Sequence, residues 1–198
     1  MSTIQTQTPS ILREDIGSIC RLTLNRPKQY NALSMEVLER MLTQLNDIAQ
    51  SDSIQVVILS ANGKAFCPGH DLKEMREDRT QEYGDKLFGK CSEMMLAIRN
   101  LPQPVIAEVQ GIATAAGWQL VATCDLAVAA DHVKFGVSGI NMGLFCSTPS
   151  VALSRNVMPK QALEMLLTGE FITAARAREI GLVNRVVPAD KLREETDT

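Results

Sequence analysis

The stretch Gln55-Val56-Val57-Ile58-Leu59-Ser60, followed by the turn Ala61-Asn62-Gly63-Lys64 and then Ala65-Phe66-Cys67-Pro68-Gly69-His70-Asp71-Leu72-Lys73, decides the fold. Its first part is a short, continuous apolar run rich in β-branched residues. A run of that length, closed by a turn, predicts a strand buried on both faces, as in a parallel sheet. Parallel neighbours require long crossover connections, so helices must lie between the strands.

Reading outward from that strand gives the same alternation. Towards the N-terminus, Ile19 to Leu24 alternates and predicts a strand. Asn25-Arg26-Pro27 ends it, because Pro lacks a donor for the ladder and restricts its predecessor. Ser34 then caps a helix on which Val37, Leu38, Met41, Leu42, Leu45 and Ile48 recur at helical spacing. Towards the C-terminus, Leu87, Phe88, Cys91, Met94, Met95 and Ile98 form one stripe of a helix between about Gly84 and Arg99. A stripe this rich in Met reads as core filling. Pro102 and Pro104 precede a buried strand, Val105 to Val109. After the small residues of Gly111 to Gly117, Trp118 to Thr123 starts a helix, and Asp125 to Ala130 reads as a strand. Pro159 opens a helix through Thr168. Thr173 caps another that ends at Gly181, and Leu182 to Val187 reads as a strand closed by Pro188. The class is α/β. Without a repeat or low-complexity linker, residues 1–198 are expected to form a single domain, with residues 1–10 a poorly ordered N-terminus.

Composition narrows the function. Of 198 residues, 45% are hydrophobic and 22% charged, which places the chain among ordinary globular proteins. A formal net charge of −3 lacks the basic footprint of a nucleic-acid binder. No apolar run approaches the roughly 20 residues that span a bilayer, and no secretory signal is visible. The expected setting is therefore cytoplasmic, or the mitochondrial matrix for a eukaryotic chain already processed. The five cysteines, Cys20, Cys67, Cys91, Cys124 and Cys146, are odd in number and widely spaced, as in a reduced protein without a disulfide framework. Cys67 and His70 give one C-x-x-H spacing with no second pair, so no metal site is expected.

Two segments depart from packing logic: Lys64 to Lys73, and Val109-Gln110-Gly111-Ile112-Ala113-Thr114-Ala115-Ala116-Gly117-Trp118. Each follows a buried strand and leads into a helix. Small residues there let a ligand approach the backbone. The first N–H groups of a helix lack internal partners and can hold an oxyanion. One donor from each loop, aimed at one point, would make an oxyanion hole. From spacing alone, a plainer reading stays open: two tight strand-to-helix turns with glycine for geometry.

Several separated segments stand in order and at the right intervals to carry a resemblance. They are Asn25-Arg26-Pro27-Lys28-Gln29-Tyr30-Asn31-Ala32-Leu33-Ser34, Phe66 to Met75, Cys124-Asp125-Leu126-Ala127-Val128-Ala129, and Thr168-Gly169-Glu170 followed by Gly181 to Pro188. Together they closely resemble the enoyl-CoA hydratase/isomerase family, the crotonases, from about Ile11 to the end, and within it the enoyl-CoA hydratase domain-containing 3 branch. The resemblance implies a spiral of ββα units, a homotrimer or dimer of trimers, and an acyl-CoA thioester ligand. No cofactor is implied beyond the coenzyme A of the substrate. By position, the oxyanion donors are the backbone N–H groups of His70 and Ala116. Lys28, Ala32, Asp71, Leu72 and Lys73 match the stretches near CoA, with a solvated surface lysine the other reading of Lys28. Against full-length members, the C-terminal helical region is expected to be truncated at Thr198.

The chain also departs from the pattern. Family members that hydrate enoyl-CoA use two glutamates, and the resemblance puts Gln119 and Gly139 at their positions. Glutamine can orient a water but cannot take its proton, and glycine offers nothing. No Asp or Glu lies between Asp131 and Glu164. Ordinary hydration by a glutamate pair is therefore disfavoured. Gln119 stays a candidate for orienting water, His70 for proton transfer because imidazole titrates near neutrality, and Cys146 for either a nucleophile or a buried structural thiol. Two functions remain: a lyase or isomerase of fatty-acid metabolism acting on an acyl-CoA, or a non-catalytic acyl-CoA-binding, regulatory or structural subunit.

Overall fold

A computed structural model describes residues 8–198; most of the expected disordered N-terminus lies outside the described residues. Pro9 and Ser10 are tied down: Asn25 Nδ2 donates to the Pro9 carbonyl at 3.0 Å, and Asn25 N–H to that of Ser10 at 2.7 Å. The chain then runs through β1 (Ile11–Ile16), β2 (Ile19–Leu24), α1 (Met35–Ala49), β3 (Val56–Ala61), β4 (Ala65–Cys67), α2 (Leu72–Glu77), α3 (Gln81–Asn100), β5 (Val105–Val109) and β6 (Ile112–Thr114). It continues through α4 (Ala116–Thr123), β7 (Leu126–Ala130), β8 (Lys134–Gly136), α5 (Ser147–Asn156), α6 (Pro159–Thr168), β9 (Ile172–Thr173), α7 (Ala174–Glu179), β10 (Arg185–Val187) and α8 (Leu192–Thr196).

These strands form two sheets. The larger has the order β1-β2-β3-β5-β7-β10 and is parallel except for the β1–β2 hairpin. The smaller has the order β4-β6-β8-β9, with β4, β6 and β8 parallel. The chain visits them in turn. β3, β5 and β7 each enter the large sheet, and the strand that follows each enters the small one before a helix returns. This is the spiral of ββα units that the family resemblance implied.

Local chemistry explains the elements. Ser34 caps α1, its Oγ accepting from Val37 N–H at 3.3 Å. The α1 stripe from Val37 to Ile48 is buried, and the predicted Met-rich stripe of α3 packs against it. α4 is buried from Ala116 to Ala122 and apolar apart from Gln119, as suits a helix enclosed by the core. The last predicted strand shrinks to Arg185–Val187, because Leu182 N–H turns back to the Ala177 carbonyl at 2.9 Å and closes α7. Arg21 is buried on β2, with Glu108 of β5 at 2.7 Å and Asp197, just past α8, at 2.5 Å. That triad fastens the C-terminal turn to the large sheet.

Candidate functional site

In the small sheet β4, β6 and β8 run parallel, so their carboxyl ends lie side by side, the position at which parallel sheets bind ligands. The first loop leaves β4 at Cys67. Leu33 bridges it: Leu33 N–H donates to the Gly69 carbonyl at 2.8 Å, and Asp71 N–H to the Leu33 carbonyl at 3.1 Å. Because successive peptide groups of an extended chain alternate in direction, the His70 N–H faces away from Leu33. It has no acceptor among the described residues.

The second loop leaves β6 at Thr114. Ala115 N–H donates to Gly136 at 3.1 Å, and helical bonding resumes with Gln119 N–H to Ala115 at 3.0 Å. The N–H groups of Ala116, Gly117 and Trp118 are thus the open first turn of α4. Ala115 itself has φ 51 and ψ −123. A non-glycine residue held there stores strain of the kind that clusters at functional sites.

The two loops touch through their glycines. A methyl built on Gly69 would stand 3.1 Å from Ala115 Cβ and 3.3 Å from Ala116 N. One built on Gly117 would fall 2.0 Å from the Cys67 carbonyl oxygen. The residue before His70 therefore abuts Ala116, and its φ of +108 is one that L side chains rarely adopt.

A cleft of about 520 Å³ opens here. Ala32, His70, Asp71, Leu72, Lys73 and Gly139 all line it, and Ala116 follows its lining residue Ala115. Asp71 caps α2, accepting from Lys73 N–H at 3.1 Å, and pairs with Arg26 at 3.1 Å. Arg26 in turn donates to the Ala32 carbonyl at 3.0 Å. Asn31, at φ 63 and buried, accepts from Arg26 N–H and donates to the Asn62 and Ala65 carbonyls, each at 2.8 Å. Residues 26–33 are thereby pinned beside the first loop. The His70 ring meets Phe88 of α3 edge to face, centroids 5.1 Å apart. Its Nδ1 is buried without a partner. Burial pushes the imidazole below its ordinary pKa, with the Leu33 backbone opposing.

Two of the sequence-derived candidates, Lys28 and Gln119, stand apart, and Lys73 sits at the cleft's edge. Lys28 is exposed on the turn Pro27–Gln29 and outside the cleft lining. The Lys73 side chain is 88% exposed, its Nζ 3.9 Å from Glu77, so it marks the rim. Gln119 is buried but lines a second cleft, of about 480 Å³, between α3, α4 and α5, with its Oε1 unpartnered. Position 139 is closed as well as bare. A methyl on Gly139 would lie 2.5 Å from both Cys146 Sγ and the Leu144 carbonyl. All five cysteines are free and buried, and burial pushes the Cys146 thiol up, which disfavours a nucleophilic role. Among the described residues no group of three or more His, Cys, Asp or Glu could hold a metal ion, and no helix is long and apolar enough to cross a membrane. Sequence alone marks Arg26 only as part of a strand-ending motif and Phe88 only as core filling. The Asn25-Arg26-Pro27 motif carried a signal for Arg26; nothing marked Phe88 as a neighbour of His70.

Comparison with known proteins gives a consistent picture. The profile for enoyl-CoA hydratase/isomerase matches residues 14–197. The chain is 49% identical over 181 residues to human enoyl-CoA hydratase domain-containing protein 3, mitochondrial, covering 91% of this chain and 60% of the relative. The mouse protein of that name is 48% identical over 178 residues, covering 90% and 59%. The chain thus spans about three fifths of these curated relatives. An enoyl-CoA hydratase of Mycobacterium smegmatis superposes with a TM-score of 0.94 at 55% identity, covering 96% of this chain and 74% of that one. The human domain-containing protein 3 structure gives 0.92 at 47%, covering 95% and 74%. With that profile match on this fold, the chain belongs to the enoyl-CoA hydratase/isomerase family.

Proposed function

We propose that this chain binds an acyl-CoA thioester and holds its carbonyl oxygen between the N–H groups of His70 and Ala116. The observation that carries the reading is the pair of unspent backbone donors on two loops in contact, with no room for a side chain at 117 and a positive φ at 69. Such donors stabilise the charge that develops on a thioester oxygen. Ala32, Asp71 and Leu72 flank the ligand, with Asp71 held by Arg26 rather than free. Lys73 at the rim, and Lys28 beyond it, would meet CoA phosphates as solvated point charges. No further cofactor is required.

Ordinary hydration by a glutamate pair is disfavoured, since Gln119 lines another cleft and position 139 has no room for a side chain. A second reading, a non-catalytic acyl-CoA-binding or regulatory subunit, is favoured by that same closure. The experiment is calorimetric titration with acetyl-CoA alongside a crotonyl-CoA hydration assay. Binding without hydration at the rate of a glutamate-bearing homologue is expected. No binding at millimolar acetyl-CoA would sink the thioester site, and full hydratase activity would sink the account of positions 119 and 139.

A homotrimer or dimer of trimers is the assembly we propose. Met158, Leu163 and Leu167, at and within α6 and outside the cleft lining, are each more than half exposed, and a contiguous apolar surface marks an interaction face. Sedimentation velocity giving only monomer would contradict it. The relatives' names carry the word mitochondrial. A matrix location in a eukaryotic source, and a cytoplasmic one otherwise, is the corresponding proposal, checked by fractionation.

A further inference from the structure

The geometry points to the His70 imidazole as the base that removes a proton from the α-carbon of a bound acyl-CoA. This inference rests on the thioester site proposed above. It starts from what the other titratable side chains of the cleft already do. Arg26 and Asp71 hold one another at 3.1 Å, and Asp71 also caps α2. Lys73 is a solvated cation at the rim, and a charged lysine has no lone pair to offer. Cys146 is buried, which keeps its thiol protonated. Position 139 is filled by Cys146 Sγ and the Leu144 carbonyl. Among the described residues lining the cleft, His70 is left as the side chain able to accept a proton at neutral pH.

Its placement suits that task. The ring lines the cleft beside the Phe88 ring; its Nδ1 is enclosed and out of a ligand's reach, so Nε2 is the atom that would take the proton. Burial disfavours the imidazolium, with the Leu33 backbone opposing; a neutral ring with its proton on the enclosed Nδ1 offers the lone pair of Nε2. The same residue offers its backbone N–H to the carbonyl oxygen. The α-carbon lies two bonds from that oxygen, within the span of one histidine.

The step balances without an oxidant or a second reactant. The imidazole takes the α-proton. The C–H electron pair becomes the Cα=C bond of an enolate, and the carbonyl π pair moves to oxygen, held by the two N–H groups. The imidazolium then returns a proton to the α-carbon or to a carbon conjugated with it. The substrate class is an acyl-CoA bearing an α-hydrogen, and water need not add.

Deuterium incorporation at the α-carbon of acetyl-CoA and butyryl-CoA in D2O, followed by mass spectrometry, tests this. The full chain is compared with His70→Gln and with His70→Ala, the latter with and without added imidazole. Wild type is expected to exchange. Each substitution should slow exchange by about 10²–10⁴-fold, the usual contribution of a general base. Calorimetric affinity should change far less, since the backbone donor remains, and imidazole should restore part of the His70→Ala rate. Exchange that survives both substitutions would assign the proton to another group. Wild type that binds acyl-CoA without exchange would remove His70 as the base and leave the thioester site standing. Absence of binding would remove the site itself.

Discussion

A single methyl at position 117 reports directly on whether the two loops are packed as described. In Gly117→Ala the new Cβ would lie 2.0 Å from the Cys67 carbonyl oxygen and 2.5 Å from its carbon. Real Cβ atoms essentially never approach closer than 3.0 Å, so the start of α4 must retreat from β4 by about 1 Å or more. Both partners are backbone atoms, and no rotamer change can absorb the clash. Forced overpacking of this kind costs about 1–3 kcal/mol. For a chain of this size that corresponds to a melting point lower by roughly 2–12 °C. The same retreat carries the Ala116 N–H away from the His70 N–H. Misplacing a binding group by about 1 Å can lower a rate by on the order of 10²-fold. The assay pairs denaturant unfolding with calorimetric titration by acetyl-CoA. Gly89→Ala is the control: it sits inside α3 with nothing within 4 Å of its new methyl. Helix propensity alone should make the control about 0.8–1 kcal/mol more stable. If Gly117→Ala stays within about 0.5 kcal/mol of wild type, the surface-like range, and binds acetyl-CoA equally well, the reasoning about the paired loops is refuted.

Gly139→Ala should destabilise by about 1–3 kcal/mol in urea unfolding, and adding Cys146→Ala should recover only part, because the Leu144 carbonyl still blocks the site. Arg21→Met strands the partly buried Glu108 carboxylate and should cost about 3–5 kcal/mol, most of it recovered in Arg21→Met/Glu108→Leu; equal stability of single and double variants would contradict this. Burial pushes the thiols of Cys20, Cys67 and Cys91 up to about 12, so a thiol reagent at pH 8 should label the native chain slowly and all five cysteines at once in guanidinium. The folded pKa of His70 lies below its unfolded value of 6.5, so the unfolded chain binds more protons there. Wild type should therefore lose stability relative to His70→Gln as pH falls through 6.5, and parallel pH profiles would show the imidazole to be solvated.

The parts of the fold that sequence made legible are those with long periodic signals. The continuous apolar run within Gln55 to Ser60, the Ser34 cap and the α1 and α3 stripes sit where the sequence pattern puts them. The small sheet was not legible, because β4, β6 and β8 have three residues each, too few to show a period of two. β1 was missed for another reason: Arg13, Glu14 and Asp15 charge an edge strand, which blunts pairing and hides the pattern. Of the site, the two glycine-bearing loops could be found from composition. Their contact could not. Gly69 and Gly117 lie 48 positions apart, and each packs on the other's loop only because β4 and β6 are neighbours. The positive φ of Ala115 leaves no trace in residue type. The resemblance singles out Gln119, but its helical face turns it to the cleft between α3 and α5. Gly139 could be read as lacking a side chain, while its closure depends on how residues 144–146 fold back.

The most direct measurement is the vibrational frequency of the thioester carbonyl in bound acetyl-CoA, isolated by carbon-13 difference spectroscopy. Two backbone donors on one oxygen weaken the C=O bond, so the stretch should fall below its value in water, and the shift should shrink in Gly117→Ala. A bound thioester with its stretch at or above the aqueous frequency would contradict the claim that His70 and Ala116 hold that oxygen between them.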